Sequence, residues 1–325
     1  MALLMIRPPR DPREAYPIVT MVVIIFLIVL FKPLFLDGSI VIKILFLICC
    51  IISFISWKIF FGFVRPNRKY RVPSVEFNRV DWVSENGELV VRYEKWNEGS
   101  APLIIAIHGW QSDSSSTEHR IESFLRKGYH AVLIDLPGHG FSDGMPIWTA
   151  IESGERILSM LEHQASKWDH SKIESTVLFG HSMGGFVVLR HANRISEALP
   201  ISISRVYLES PMSSFPMVFD QRTSGYRRIA RFISRIDLRW AYLRHGPDPQ
   251  VKWADFEVPG WGVPSMPVRL LQAEEDVALG LHHLNLLRPY AGDDWDVVID
   301  PNLKHFGKGL NRGNAAEIYN NWISN

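Results

Sequence analysis

Two long apolar runs open the chain. The first extends from Ile18 to Leu36 and is interrupted by one charge, Lys32; the second extends from Ile40 to Val64 with Lys43 and Lys58 as its charged positions. Each approaches the roughly 20 residues that a helix needs to cross the hydrocarbon layer, provided that lysines near the ends reach the headgroups. Asp37, Gly38 and Ser39 between them form a turn signal. The pattern predicts a two-helix membrane hairpin over 18–64, either spanning or re-entrant in one leaflet. A cleaved signal peptide explains the first run but not the second, and no small-x-small site precedes Asp37.

After a basic, proline-containing linker at 65–73 the periodicity changes. Val75 to Ser84 and Glu88 to Trp96 alternate apolar and polar positions around Asn86-Gly87, which predicts an antiparallel hairpin. Short apolar runs follow at Leu103–Ile107, Ala131–Ile134, Thr176–Phe179, Val206–Leu208, Val268–Leu271 and Val297–Ile299, with helix-like segments between them. This alternation predicts an α/β domain over 74–325, a mostly parallel sheet with helices on both faces. The stretch at about 211–265 is too long for an ordinary connection and reads as an inserted cap over the carboxyl ends of the strands.

Charge adds orientation. Arg7, Arg10 and Arg13 precede the first run and Arg65, Arg68, Lys69 and Arg71 follow the second, so both hairpin ends, the short segment 1–17 and the α/β domain are expected on the cytoplasmic side of a membrane. Lys32 and Lys43 on the turn side pull the other way. The net charge of +1 gives no bulk field for a nucleic-acid partner. The only cysteines, Cys49 and Cys50, are adjacent inside an apolar run, which excludes a disulfide-built domain. No metal-ligand spacing and no glycine-rich phosphate loop occurs, and the chemistry below needs no cofactor.

That chemistry begins at Gly180-His181-Ser182-Met183-Gly184, which follows a predicted strand and precedes a predicted helix. In this context G-x-S-x-G is a nucleophile elbow, where glycines relieve the crowding of a sharp turn and the serine hydroxyl is lifted into the open at a helix N-terminus. Serine needs a base, and the base needs a partner to hold its tautomer. His305, in the turn after the last predicted strand, is the candidate base. Asp276, after the penultimate strand, is the candidate acid, with Glu274, Glu275 and the more distant Glu209 as rivals. The backbone N–H groups of Met183 and Trp110 are the candidate oxyanion donors. His108, His139 and Asp143 read as scaffold.

Three motifs in order, His108-Gly109-Trp110, then Asp135-Leu136-Pro137-Gly138-His139-Gly140-Phe141-Ser142-Asp143-Gly144, then Gly180 to Gly185, make the chain from about Val72 onward resemble the α/β-hydrolase superfamily. Within it the branch of monoglyceride lipases, lysophospholipases and serine aminopeptidase-like hydrolases looks nearest. The resemblance implies the α/β-hydrolase fold and hydrolysis of an ester, thioester or amide through an acyl-enzyme. It departs most in the N-terminal hairpin and the cap. Leu310 stands where acyltransferase members of the superfamily carry an aspartate after the catalytic histidine.

Within the cap, Tyr226, Ile229, Ala230, Ile233, Ile236, Trp240 and Leu243 fall at helical spacing, with Arg227, Arg231, Arg235 and Arg239 on another face. Two readings stand: an apolar face over an acyl-chain pocket with arginines against anionic headgroups, or an ordinary cap helix with a solvated basic face. Trp110, Trp148, Met183 and Phe186 can line such a pocket or belong to the core. The expected function is hydrolysis of a membrane acyl ester such as a monoacylglycerol or lysophospholipid. The alternatives are a peptidase or protein deacylase using the same triad, and a silent scaffold, which predicts an eroded catalytic position where none is visible.

Overall fold

The computed structural model describes residue 10 and residues 15–37, 39–226, 228–245, 258, 262–306 and 312–324, the side chains of 31–37 excepted. Arg7, Arg13, Gly38, Arg227, Gly307 and Leu310, named above, lie outside these residues, as does the Lys32 side chain.

Strands β1 (Asn78–Val83), β2 (Leu89–Lys95), β3 (Ala101–Ile107), β4 (His130–Ile134), β5 (Ile173–His181), β6 (Ile203–Glu209), β7 (Val268–Ala273) and β8 (Asp296–Asp300) form one sheet in the order β1-β2-β4-β3-β5-β6-β7-β8. β2 runs antiparallel to β1 and β4, and the remaining neighbours pair in parallel. The described helices are α1 (Ile18–Asp37), α2 (Ile40–Val64), α3 (Ser114–Glu118), α4 (Glu122–Arg126), α5 (Ala150–Ala165), α6 (Met183–Ala198), α7 (Phe215–Thr223), α8 (Arg228–His245), α9 (His282–Leu287) and α10 (Ala315–Ser324).

β3 illustrates why the central strands read as unbroken apolar runs. Leu103, Ile105 and Ile107 pack with residues of α5 and α6, while Ile104 and Ala106 pack with Phe124 of α4 and with Tyr319 and Trp322 of α10. Alternate side chains leave a strand on opposite faces, and helices cover both, so neither face is free for polar residues. β1 is shorter than its alternation suggests. Phe77 N–H donates to Ser74 O at 3.1 Å, closing a turn that exposes Val75, and pairing starts at Asn78. The hairpin turn contains Gly87 at φ +78°, a conformation that disfavours a β-carbon.

α1 and α2 occupy the two N-terminal apolar runs. Among the described helices α2 alone is long and apolar enough to cross a bilayer; the apolar part described in α1, Ile18–Leu30, is shorter. The base of α2 is fastened to the α/β domain. Ile59, Phe60, Phe63 and Val64 are buried in the same cluster as α5 and α6. The 65–73 segment is fastened too, since Arg68 donates to Ser142 O at 2.5 Å and Arg71 pairs with the Asp113 carboxylate at 2.9 Å.

α7 and α8 lie between β6 and β7, in the segment read as a cap, of which 246–257 and 259–261 are outside the described residues. The buried face of α8 corrects the expected one. It consists of Ala230, Ser234, Asp237, Leu238, Ala241 and Tyr242, whereas Tyr226 just before the helix and Ile229, Trp240 and Leu243 within it are exposed. The reason is polar pairing with the N-terminal helices. Ser56 Oγ donates to Ala230 O and Ser234 Oγ to Ser56 O, both at 3.2 Å, and the Asp237 carboxylate accepts from Val19 N at 2.7 Å and Thr20 Oγ1 at 2.5 Å. Small side chains let the helices approach this closely, and a carboxylate suits the positive end of α1. Hydrophobicity alone does not register either effect.

Candidate active site

β5 ends at His181 and α6 begins at Met183, which leaves Ser182 on the sharp turn between them at φ 54° and ψ −119°. A non-glycine residue holds this strained conformation only where its surroundings enforce it. Ser182 N–H donates to Glu209 O at 3.0 Å, and Ser182 O accepts from Met212 N at 2.9 Å and Phe186 N at 3.2 Å. The neighbouring glycines make room. A β-carbon on Gly180 would lie 2.7 Å from the Gly185 Cα, and one on Gly184 would lie 2.3 Å from the Ile107 carbonyl oxygen.

The structure brings Ser182, His305 and Asp276 into one line. His305 Nε2 lies 3.0 Å from Ser182 Oγ, and His305 Nδ1 lies 2.8 Å from Asp276 Oδ2. A carboxylate on Nδ1 fixes that nitrogen as the donor, so Nε2 is left to accept the serine proton. Asp276 Oδ1 also accepts from Ala278 N and Leu279 N, each at 2.9 Å. Burial pushes the Asp276 carboxyl up, but the hydrogen bond and charge of His305 with these two N–H groups outweigh it and hold the group below the usual range. The rival acids are placed elsewhere. Glu274 and Glu275 are exposed, with Glu275 paired to Lys304 at 3.0 Å.

Glu209 is buried and committed to other partners. It accepts from Arg120, from Arg312 Nη2 at 2.7 Å and from Tyr319 Oη at 2.8 Å. Burial raises its carboxyl, and Arg312 and Arg120 more than reverse this, leaving it well below the usual range. The network then holds the backbone of His305. Arg120 Nη2 donates to the His305 carbonyl oxygen at 3.1 Å, and His181 Nε2 lies 3.1 Å from the same oxygen. Burial, followed by the Arg120 charge, pushes His181 well below the ordinary histidine value, so it is a neutral donor there. Sequence reasoning missed Arg120, Arg312 and Tyr319. They lie 89, 103 and 110 positions from Glu209, and no local pattern marks them.

Trp110 and Met183 flank the serine from two sides. Gly109, before Trp110, is so close that a β-carbon on it would lie 3.1 Å from Ser182 Cβ. Neither the Trp110 nor the Met183 N–H donates a hydrogen bond among the described residues, which leaves both for a ligand oxygen. His108 lies beneath this loop, with Nε2 accepting from Leu136 N at 3.0 Å and Nδ1 2.7 Å from Gly109 O. His139 is buried against the Trp110 and Trp148 rings. Asp143 accepts from Leu89 N at 2.9 Å. These contacts tie the glycine-rich turn after β4 to β2 and to the loop after β3 that carries Gly109 and Trp110.

Ser182 opens into a cavity of about 410 Å³ walled by Trp110, Trp148, Met183, Met212, Phe215 and other apolar residues. Phe63 of α2 also lines it, and Arg222 of α7 is its one charged lining residue among the described ones. Sequence reasoning anticipated neither. Among the described residues, no three His, Cys, Asp or Glu side chains gather as a metal site.

Several known proteins are similar to this chain. A lysophosphatidylserine lipase of Danio rerio is 25% identical over 192 residues, 58% of this chain and 46% of that one. A bifunctional esterase/perhydrolase of Acinetobacter calcoaceticus is 27% identical over 126 residues, 37% of this chain and 44% of that one. The chain thus spans less than half the length of these curated relatives. Among solved structures, an esterase of Pyrococcus furiosus superposes with a TM-score of 0.57 at 14% identity, covering 80% of this chain and 94% of its own. An esterase of Butyrivibrio proteoclasticus bound to ferulic acid gives 0.54 at 19% identity, covering 75% and 98%. Residues 104–313 match the family described as the alpha/beta hydrolase family. With the eight-stranded sheet and the serine turn after β5, that match makes this chain a member of the alpha/beta hydrolase family.

Proposed function

We propose that the protein is a membrane-anchored serine hydrolase that cleaves an acyl ester of a single-chain lipid through an acyl-enzyme on Ser182. The line Ser182–His305–Asp276, at 3.0 and 2.8 Å, opening into an apolar cavity, carries this reading. Ser182 Oγ attacks the ester carbonyl carbon while His305 Nε2 takes its proton. The Trp110 and Met183 N–H groups hold the oxyanion, and Asp276 stabilises the imidazolium. Collapse breaks the bond to the alkoxide, which leaves with the proton from His305. A water molecule, deprotonated by the same nitrogen, then attacks the acyl-enzyme, and the carboxylic acid departs as Ser182 regains its proton.

Several features favour a lipid ester. The relatives include enzymes named as esterase and lipase. Arg222 is the charged residue lining the cavity, whereas a site for a peptide amino terminus calls for carboxylates. Exposed apolar side chains run along α1 and α2, among them Val22, Phe26, Val29, Ile44, Leu47 and Phe54, as lipid-facing helices require. The segment before the helix pair is bound to the α/β domain, because Gly144 N donates to Arg10 O at 2.7 Å, and Arg65 donates to Ala15 O at 3.2 Å, which ties the two ends of the pair to each other. The basic residues that flank the helix pair favour the cytoplasmic side for these ends by the positive-inside rule. Tethering keeps the site close to a poorly soluble substrate.

The test is fluorophosphonate labelling of full-length protein in detergent, with Ser182→Ala and His305→Ala alongside. Wild type should label and the variants should not. A folded wild type that resists labelling and leaves p-nitrophenyl esters intact would refute the proposal.

A further inference from the structure

A second pocket, of about 520 Å³ with the part open to solvent counted, lies beside the one that holds Ser182. The two share Phe63, Trp148 and Phe215, so three aromatic side chains form the partition between them. Beyond that partition the lining is mostly apolar, with Val64 from the end of α2, Leu238 and Tyr242 from α8, and Ala150 at the start of α5, while Thr149 and Arg239 are its polar members among the described residues. One wall therefore belongs to α2 and to α8, outside the sheet that carries the Ser182 turn.

The position of that wall is fixed by polar contacts. Asp237, adjacent to Leu238, accepts from the first turn of α1, and Ser56 and Ser234 bond α2 to α8. Away from these contacts α8 exposes Ile229, Phe232, Trp240 and Leu243.

We propose that this second cavity is the acyl-chain subsite of the enzyme, built jointly by the last turn of α2 and by α8. It takes the distal methylenes of a long unbranched acyl chain whose ester carbonyl sits on Ser182. The proposal rests on the serine-hydrolase reading above and adds to it a role for the N-terminal helices beyond anchoring, because they form part of the specificity pocket. The proximal methylenes occupy the Ser182 cavity and the tail passes the Phe63, Trp148 and Phe215 partition. Removal of a methylene from water favours binding by up to about fourfold, so a subsite that accepts several of them separates long from short chains by orders of magnitude.

The experiment measures kcat/KM of full-length protein in nanodiscs for p-nitrophenyl butanoate and dodecanoate. Two variants narrow the subsite from opposite walls, Leu238→Trp on α8 and Ala150→Leu on α5. The readout is the dodecanoate-to-butanoate ratio, which a partial loss of folded enzyme leaves untouched; partitioning of the longer ester into the bilayer cancels between variants. Wild type should favour dodecanoate, and each variant should lower the ratio at least tenfold. A wild type that does not favour dodecanoate overturns the subsite. So do active variants with the wild-type ratio, although they leave the serine-hydrolase reading intact. A wild type inactive on both esters and unlabelled by fluorophosphonate overturns both proposals.

Discussion

Glu209→Gln separates structural from catalytic carboxylates. The substitution keeps the size of the side chain and removes its charge from between Arg120 and Arg312, while Tyr319 Oη still has an oxygen within reach. Two guanidinium groups are then left with no carboxylate to balance them in a buried site, and breaking such an arrangement costs about 3–5 kcal/mol. For a domain of this size about 1 kcal/mol shifts the melting temperature by roughly 2–4 °C, so thermal unfolding should come roughly 6–20 °C earlier. The effect on chemistry should be indirect, through the Arg120 bond to the His305 carbonyl oxygen. The rate per labelled active site should fall by less than about tenfold, for a modest misplacement of the base. Asp276→Asn should do the opposite, with a small change in melting temperature and a loss of about 10⁴ in kcat, as expected when a triad acid no longer fixes its histidine tautomer. The assay pairs thermal unfolding in detergent with active-site titration and ester turnover. A Glu209→Gln protein that melts like wild type but loses turnover as severely as Asp276→Asn would refute the assignment of Asp276 as the acid.

Three further outcomes are expected. Gly184→Ala places a β-carbon 2.3 Å from the Ile107 carbonyl oxygen, about 1 Å inside normal contact, so the two oxyanion donors must separate and labelling by fluorophosphonate should slow by about 10²-fold; labelling at the wild-type rate would count against Trp110 and Met183 as donors. Glu209 and Asp276 both have folded-state values below their unfolded ones, so the stability they contribute is present above the unfolded carboxylate range of about pH 4 and is lost as pH falls through the depressed folded values. Melting temperature should therefore fall as pH drops below the unfolded carboxylate range, and Glu209→Gln should flatten that slope; an equal slope in the two proteins would refute the linkage. Asp237→Ala removes the carboxylate at the start of α1 and should lower stability by about 1 kcal/mol, with faster proteolysis near α8, whereas Asp237→Asn should retain most of the cap.

Local pattern was enough for much of this protein. Leu103–Ile107 reads as a buried strand because its neighbours on both faces are helices, and the composition of the run already carries that information. The elbow at Gly180–Gly184 is legible because the crowding that demands glycine arises within a few residues of the serine and from one adjacent strand. The order of Ser182, Asp276 and His305 follows the order of the strands, so each could be picked out by its place after a predicted strand. What tertiary structure decided depends on contacts between distant segments. Glu209 could not be separated from Asp276 as an acid until Arg120, Arg312 and Tyr319 were seen to surround it. The face that α8 buries was misjudged from hydrophobicity, because its partners, Thr20 and Ser56, make polar contacts from helices that read from sequence as apolar apart from a few lysines and small polar residues. Periodicity reports how much of a helix is apolar. Which side it turns inward is set by the specific hydrogen bonds and close approaches its neighbours offer, and those exist only once the chain has folded.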